Sequence, residues 1–262
     1  MSRNHTGTTA IVTGASSGLG AEFARTLAAR GANLVLVARR EDRLNELADE
    51  LASAHDVTVH PLALDLATPG AIDHLVGFVR ERGLTVDSLI NNAGFGMHGA
   101  LADADAARID EQVRLNVGAL VSLTRAFLPE MTASGRGVLV NVASTAAFQP
   151  VPFMSVYGAT KAFVLSFTEA VAFETRESGL RVTTLCPGAT RTEFFEVVGT
   201  EEARVGNYQT PEQVIATAMR ALDARRTPAS VVSGRRNSAA SVFARIMPRS
   251  LVVPMTARLM AA

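Results

Sequence analysis

Lysine is all but absent from this chain of 262 residues. Of its 25 basic residues all but one are arginine, and the exception is Lys161. Tyrosine is nearly as scarce, with Tyr157 and Tyr208 alone. A single cysteine, Cys186, excludes an internal disulfide and fits a reducing compartment. Acid and base balance at 25 each, so global charge gives no footprint for nucleic acid. No apolar run reaches the ~18 residues that a spanning helix needs, and the opening MSRNHTGTTA has no apolar core of signal-peptide length. The five histidines are scattered without metal-ligand spacing, and no G-x-S-x-G hydrolase elbow occurs. These absences point to a soluble cytoplasmic protein without metal. At 48% hydrophobic and 19% charged residues, the composition is that of a globular domain.

What is present is an alternation. Apolar, β-branched runs at 8–13, 33–38, 57–64, 88–92, 137–143, 181–186 and 229–233 read as strands. Amphipathic stretches near 18–30, 41–54, 70–82, 105–133, 157–178 and 211–225 read as helices between them. Seven strands alternating with helices predict one doubly wound α/β Rossmann domain on a parallel sheet over residues 1–235. Its ligands belong at the carboxyl ends of the strands.

The first strand ends in TGASSGLG and leads directly into a helix. A pyrophosphate needs backbone N–H groups aimed at it with no Cβ in the way, which glycine at a strand-to-helix turn supplies. Gly14, Ser16, Ser17, Gly18, Leu19 and Gly20 are therefore the expected phosphate cradle. After the second strand, LVLVARRED places Ala38 where an acid would hold a free ribose 2′-hydroxyl, followed by Arg39 and Arg40. Arginine at a helix start is poorly placed against the helix dipole, but its planar fork suits a phosphate. The expected cofactor is NADP(H). Glu41 and Asp42 are placed to cap the next helix.

The lone lysine stands in SVYGATK, four residues after Tyr157. On a helix this spacing puts both on one face. A free phenol titrates near ~10, and a neighbouring cation lowers that value toward a useful range. Lysine is a compact charge on a flexible stem, whereas arginine is a broad fork; the swap made elsewhere fails here. Ser144, at the end of GVLVNVAS, has a hydroxyl placed to hold the oxygen whose charge changes during reaction. Cys186 ends an apolar strand and reads as a buried small residue rather than a nucleophile.

The T-G-x-x-x-G-x-G spacing, the serine and the Y-x-x-x-K motif together resemble the short-chain dehydrogenase/reductase family. The likeness runs along nearly the whole chain and thins beyond about residue 235. It implies that NNAG (Asn91, Asn92, Ala93 and Gly94) supports the sheet and lines the cofactor site, and that Asp65 lies near the adenine. It also implies that Ser144, Tyr157 and Lys161 form the catalytic set and that Asn116 helps complete a proton relay through the lysine and water. Pro187, Gly188, Thr190 and Thr192 of PGATRT would hold the nicotinamide carboxamide. Family members often associate through the helices that here span 105–133 and 157–178, which implies a homo-oligomer.

The expected reaction is hydride transfer between nicotinamide and a carbonyl or secondary alcohol. Phe95, Met97, Phe148, Val151, Phe153 and Met154 are the expected substrate wall. Phe194, Phe195, Val197 and Val198 could form a lid, so the substrate is expected to be a small hydrophobic molecule. Two other readings stay open: an epimerase or dehydratase on the same fold, and a nucleotide-binding regulator without turnover. The tail, residues 236–262, is basic and apolar. After Asp223 seven arginines follow with no acid, which leaves an equal acidic excess in the first 223 residues. Pro248 and Pro254 are expected to break the tail into short pieces, packed on the body or laid on an anionic membrane surface or partner.

Overall fold

In the computed structural model, which describes residues 4–198 and 208–260, seven short strands pair in parallel in the order β3-β2-β1-β4-β5-β6-β7. In chain order the elements are β1 (Thr9–Thr13), α1 (Gly18–Ala28), β2 (Asn33–Ala38), α2 (Glu41–Ala54), β3 (Val59–Ala63), α3 (Ala71–Glu81) and β4 (Ser88–Asn91). Then follow α4 (Ala106–Val113), α5 (Leu120–Ser134), β5 (Val138–Val142), α6 (Ser155–Glu174), β6 (Arg181–Cys186) and α7 (Phe194–Val198). The chain closes with α8 (Pro211–Asp223), β7 (Ser230–Val232), α9 (Arg235–Ile246) and α10 (Arg249–Met260). This is a single doubly wound Rossmann-type domain, as the alternation predicts. The strand order reverses between β1 and β4, which opens a crevice at their carboxyl ends.

The period of two along each strand divides the core between two faces. Ala10, Val12, Leu34 and Leu36 pack with Phe23, Leu27, Leu44 and Met219 of α1, α2 and α8. Ile11, Val35, Val37 and Leu89 pack on the other face with Leu75, Leu123, Phe127 and Met131 of α3 and α5. Strands buried on both faces read as continuous apolar runs, which is why 33–38 and 138–142 carry no polar alternation.

Some local details differ from the expectation. The helical stretch over 105–133 is two helices joined by a π turn at Arg114–Ala119, a wider winding that occurs often at functional sites. β3 and β7 are shorter than read, and α6 starts at Ser155. Pro248 separates α9 from α10, but Pro254 lies inside α10 rather than ending it. On an exposed helix its lost hydrogen bond to residue 250 costs stability without stopping the helix. Among the described residues no helix is long and apolar enough to cross a membrane.

The tail helix α9 packs on β7 and on the 3₁₀ turn Thr145–Phe148. Arg245 reaches Glu169 of α6 at 3.6 Å and lies 4.6 Å over the Phe148 ring, so one tail arginine does meet an acid of the body.

Candidate active site

The turn after β1 is shaped by what it must not contain. Gly18 has φ +54°, and a Cβ there would stand 2.9 Å from Cγ2 of Thr192. A Cβ on Gly20 would collide with the carbonyl oxygen of Gly14. Asn92 braces the turn from β4: its Nδ2 donates to the carbonyls of Thr13 at 3.0 Å and Gly14 at 3.3 Å. The Thr13 hydroxyl in turn accepts from the N–H groups of Asn92 and Ala93 at 2.9 and 3.0 Å. The sequence reading names NNAG but assigns no such bracing to Asn92 and Thr13. Only the adjacency of β1 and β4 reveals it.

The turn opens on a groove of about 990 Å³. Gly14, Ser16, Ser17, Gly18, Leu19, Arg39, Arg40, Asp65, Ala93, Gly94, Pro187, Gly188, Thr190 and Thr192 line it, with Ser144, Tyr157 and Lys161. Three expected residues stand behind its wall. Gly20 allows the close approach of the turn. Asn91 is buried in the sheet, donating to Thr124 at 3.1 Å and Asn141 at 2.9 Å, so it ties β4 to its neighbours. Asn116, in the π turn, spends its side chain on the Phe95 backbone and on Thr160. Its Oδ1 lies 2.8 Å from where a Cβ on Gly94 would stand.

The two arginines after β2 diverge. Arg39 is largely exposed and leans toward Glu111 at 3.6 Å and Asp65 at 3.9 Å. Arg40 turns to the glycine loop, donating from Nε and Nη2 to the Ser16 hydroxyl at 3.2 and 3.0 Å. A turn that keeps Cβ atoms out at Gly14, Gly18 and Gly20, with two guanidinium forks beside it, fits a nicotinamide dinucleotide.

At the other end of the groove, α6 brings Tyr157 and Lys161 together, both buried. Lys161 Nζ donates to the carbonyl of Val142 at 2.9 Å and lies 5.7 Å from the Tyr157 ring centre. Ser144 caps the 3₁₀ turn after β5, its Oγ accepting from Ala146 N–H at 3.1 Å, which leaves its hydroxyl hydrogen for Tyr157. Burial pushes the Tyr157 phenol up to about 12 despite the hydrogen bond with Ser144. Burial also lowers Lys161 to about 8. The net shift of the phenol is therefore upward in this state, where a neighbouring cation alone would lower it, because desolvation of the phenolate is the larger effect. Cys186, fully buried at the end of β6, has its thiol raised to about 12 and is inert.

The substrate wall is partly as expected. Val151, Met154, Tyr157 and Val198 cluster with Phe194, whose ring centre lies 5.4 Å from that of Tyr157. Phe95 lines the groove, whereas Phe148 packs beneath it under Arg245 and Met97 stands off it. Phe153 is 40% exposed at φ +65°. The side chains of Phe195 and Val197 lie outside the described residues. The sequence reading misses Gln149, Tyr208 and the first turns of α9, where Gly234, Arg235, Arg236, Asn237 and Ser241 close the groove. Tail residues reach the site through folding, and no motif marks them. Among the described residues no cluster could hold a metal ion.

The doubly wound sheet, the glycine turn at its switch point and the buried tyrosine–lysine pair in the same groove define a dinucleotide-binding protein. The profile of the short chain dehydrogenase family matches residues 8–203, and the chain belongs to that family of nicotinamide-dependent oxidoreductases. It is 39% identical over 186 residues to sulfoacetaldehyde reductase 2 of Chromohalobacter salexigens, covering 70% of this chain and 73% of that one. It is 34% identical to D-beta-hydroxybutyrate dehydrogenase of Rhizobium meliloti, over 80% of this chain and 82% of the other. A short-chain dehydrogenase from Sphingobium yanoikuyae in complex with NADPH superposes with a TM-score of 0.80 at 33% identity, covering 92% and 96% of the two chains. A 7beta-hydroxysteroid dehydrogenase structure gives 0.85 at 26% identity, covering 96% and 97%.

Proposed function

We propose that this oxidoreductase uses NADP(H) to interconvert a carbonyl and a secondary alcohol on a small hydrophobic molecule. The observation that carries the reading is the pair Arg39–Arg40 at the end of β2, where an acid for the ribose 2′-hydroxyl would otherwise stand. The NADPH in the Sphingobium yanoikuyae relative supports it. Ser16, Ser17 and the backbone from Gly14 to Leu19 would hold the pyrophosphate, with Asp65 near the adenine. Pro187, Gly188, Thr190 and Thr192 would hold the carboxamide.

When bound, the nicotinamide supplies or accepts the hydride. The chain supplies the rest. Ser144 donates to the substrate oxygen and holds it beside Tyr157. The phenol, kept neutral by burial, gives up its proton as that oxygen gains charge. Lys161, anchored on Val142, places its cation beside the phenolate left behind. Asn116 is a positioning residue: with its amide engaged, it fixes the Phe95 loop and the start of α6.

Val151, Met154 and Phe194 support an apolar substrate, and with such a substrate bound they would keep water from the proton-transfer site. Net consumption of NADPH with a carbonyl, followed at 340 nm across a panel of aldehydes and ketones, tests the reading. An epimerase would show no net consumption, and a regulator no turnover.

Two contacts complete the proposal. Val113 and Phe163, both over 40% exposed, with Phe163 stacked on Phe167, support self-association through α4–α6. The tail, treated as an extension beyond residue 235, would lie on an anionic membrane. On α9 the polar Asn237 and Ser241 face inward, while Val242, Phe243 and Ile246 are 54%, 56% and 78% exposed. On α10 Val252 and Thr256 face inward, and Leu251 and Met255 outward. Arg249 and Arg258 are exposed beside this apolar face, in a segment without a single acid. That charge favours an anionic lipid surface.

A further inference from the structure

The segment that leaves β6 crosses directly above the glycine turn. Thr192 stands over Gly18, and the next residue, Glu193, reaches across to the head of α2. Its carboxylate lies 2.8 Å from Arg40 Nη1 and 2.5 Å from Arg43 Nη1, with a further hydrogen bond to Ser17. Partial burial works to raise its pKa. The hydrogen bonds from Arg43 and Arg40 outweigh that and hold the carboxyl below its ordinary range. It is therefore an anion at neutral pH.

The position of this anion matters because of what Arg40 also holds. Its Nε and Nη2 are on Ser16, inside the cradle, and only Nη1 is given to Glu193. A carboxylate and a phosphate take the same charge-assisted hydrogen bonds from a guanidinium. On the NADP reading, on which this inference rests, Arg40 faces the 2′-phosphate from one side and Glu193 from the other. We infer that Glu193 is a specificity-determining residue: an internal counter-ion that shares Arg40 with the cofactor's 2′-phosphate and limits discrimination against the unphosphorylated form. Arg43 holds the carboxylate in place, and Arg39, turned toward Asp65 and Glu111, is tempered by acids in the same way. All these acids lie against donors of the adenosine end, whereas the nicotinamide end of the groove has apolar walls and Lys161.

The phosphate's contribution is isolated with two nucleotide fragments, 2′,5′-ADP and 5′-AMP, whose dissociation constants are measured by calorimetry on the whole chain. Glu193→Gln keeps the shape and one acceptor but removes the charge. It is expected to tighten 2′,5′-ADP relative to 5′-AMP by about three- to fivefold, the scale of one partly exposed ion pair. Glu193→Asp keeps the charge and is expected to leave the ratio below that of the Gln variant. Equal changes for both fragments, with the ratio unmoved, would overturn the inference and leave Glu193 as a tether of the loop. If the parent protein itself fails to prefer 2′,5′-ADP and Arg40→Ala alters neither constant, the NADP reading fails instead. Melting temperatures within about 2 °C of the parent confirm that the variants are folded.

Discussion

Lys161 donates to the main-chain carbonyl of Val142, two residues before Ser144, and this bond joins the face of α6 to the end of β5. The cation, the phenol and the serine are thereby held in one frame. Arginine does not fit here: its fork is too broad for a buried single-acceptor site. Lys161→Arg should lower kcat by about 10²-fold or more, and Tyr157→Phe by about 10²–10⁴-fold. Cofactor affinity measured by fluorescence titration should change little for Tyr157→Phe and more for Lys161→Arg. A Tyr157→Phe enzyme within threefold of the parent would refute the acid–base assignment.

The pH profile follows from the burial of the same pair. Below about 8 Lys161 is charged and Tyr157 is protonated, the forms that reduction needs. As pH rises through about 8 the lysine loses its charge while the phenol, at about 12, keeps its proton. Carbonyl reduction should therefore have a kcat/KM that is flat below pH 8 and falls by about tenfold per unit above it. The residual activity of Lys161→Arg should lack that fall, because guanidinium does not titrate in this range. A parent profile flat from pH 7 to 10 would exclude Lys161 as the titrating group.

Cofactor choice is tested at the end of β2. Arg39→Ala and Arg40→Ala should each weaken NADPH by about 10- to 100-fold, the scale of one charge-assisted hydrogen bond, and NADH far less. The Arg40 change should be the larger, since Arg40 alone is fixed on the cradle through Ser16. Equal losses for the two dinucleotides, or a parent enzyme that prefers NADH, would contradict the NADP assignment.

The outward apolar face of the tail makes a separate expectation. The full chain should sediment with vesicles containing anionic lipid at low salt and be released at high salt. Phe243→Asp combined with Ile246→Asp should abolish that binding while leaving NADPH affinity unchanged, since both side chains point away from the groove. A parent protein that stays in the supernatant at low salt would refute membrane contact.

Much of this molecule is legible in its letters because the physics there is local. The inner strands, buried along their length, must be largely apolar runs and so appear in the sequence, and the partly buried edge strands β3 and β7 appear too, though shorter than read. A phosphate cradle needs glycine for reasons confined to a few residues, and Tyr157 and Lys161 are joined by a single helical turn. Fixed spacing carries such features from sequence to structure without knowledge of the rest of the fold.

Other features arise only when distant segments meet. Asn92 braces the glycine turn because β4 lies beside β1, some 80 positions away in the chain. Glu193 joins Arg40 and Arg43 across 150 residues, and neither spacing nor composition marks it. The tail lines the groove with Asn237 and Ser241 while turning Phe243 and Ile246 outward, a choice of face that its apolar pattern alone would reverse. The ionisation of Tyr157 and Lys161 is likewise decided in three dimensions. Sequence places a cation near a phenol, but the depth at which packing buries both determines that desolvation outweighs their attraction.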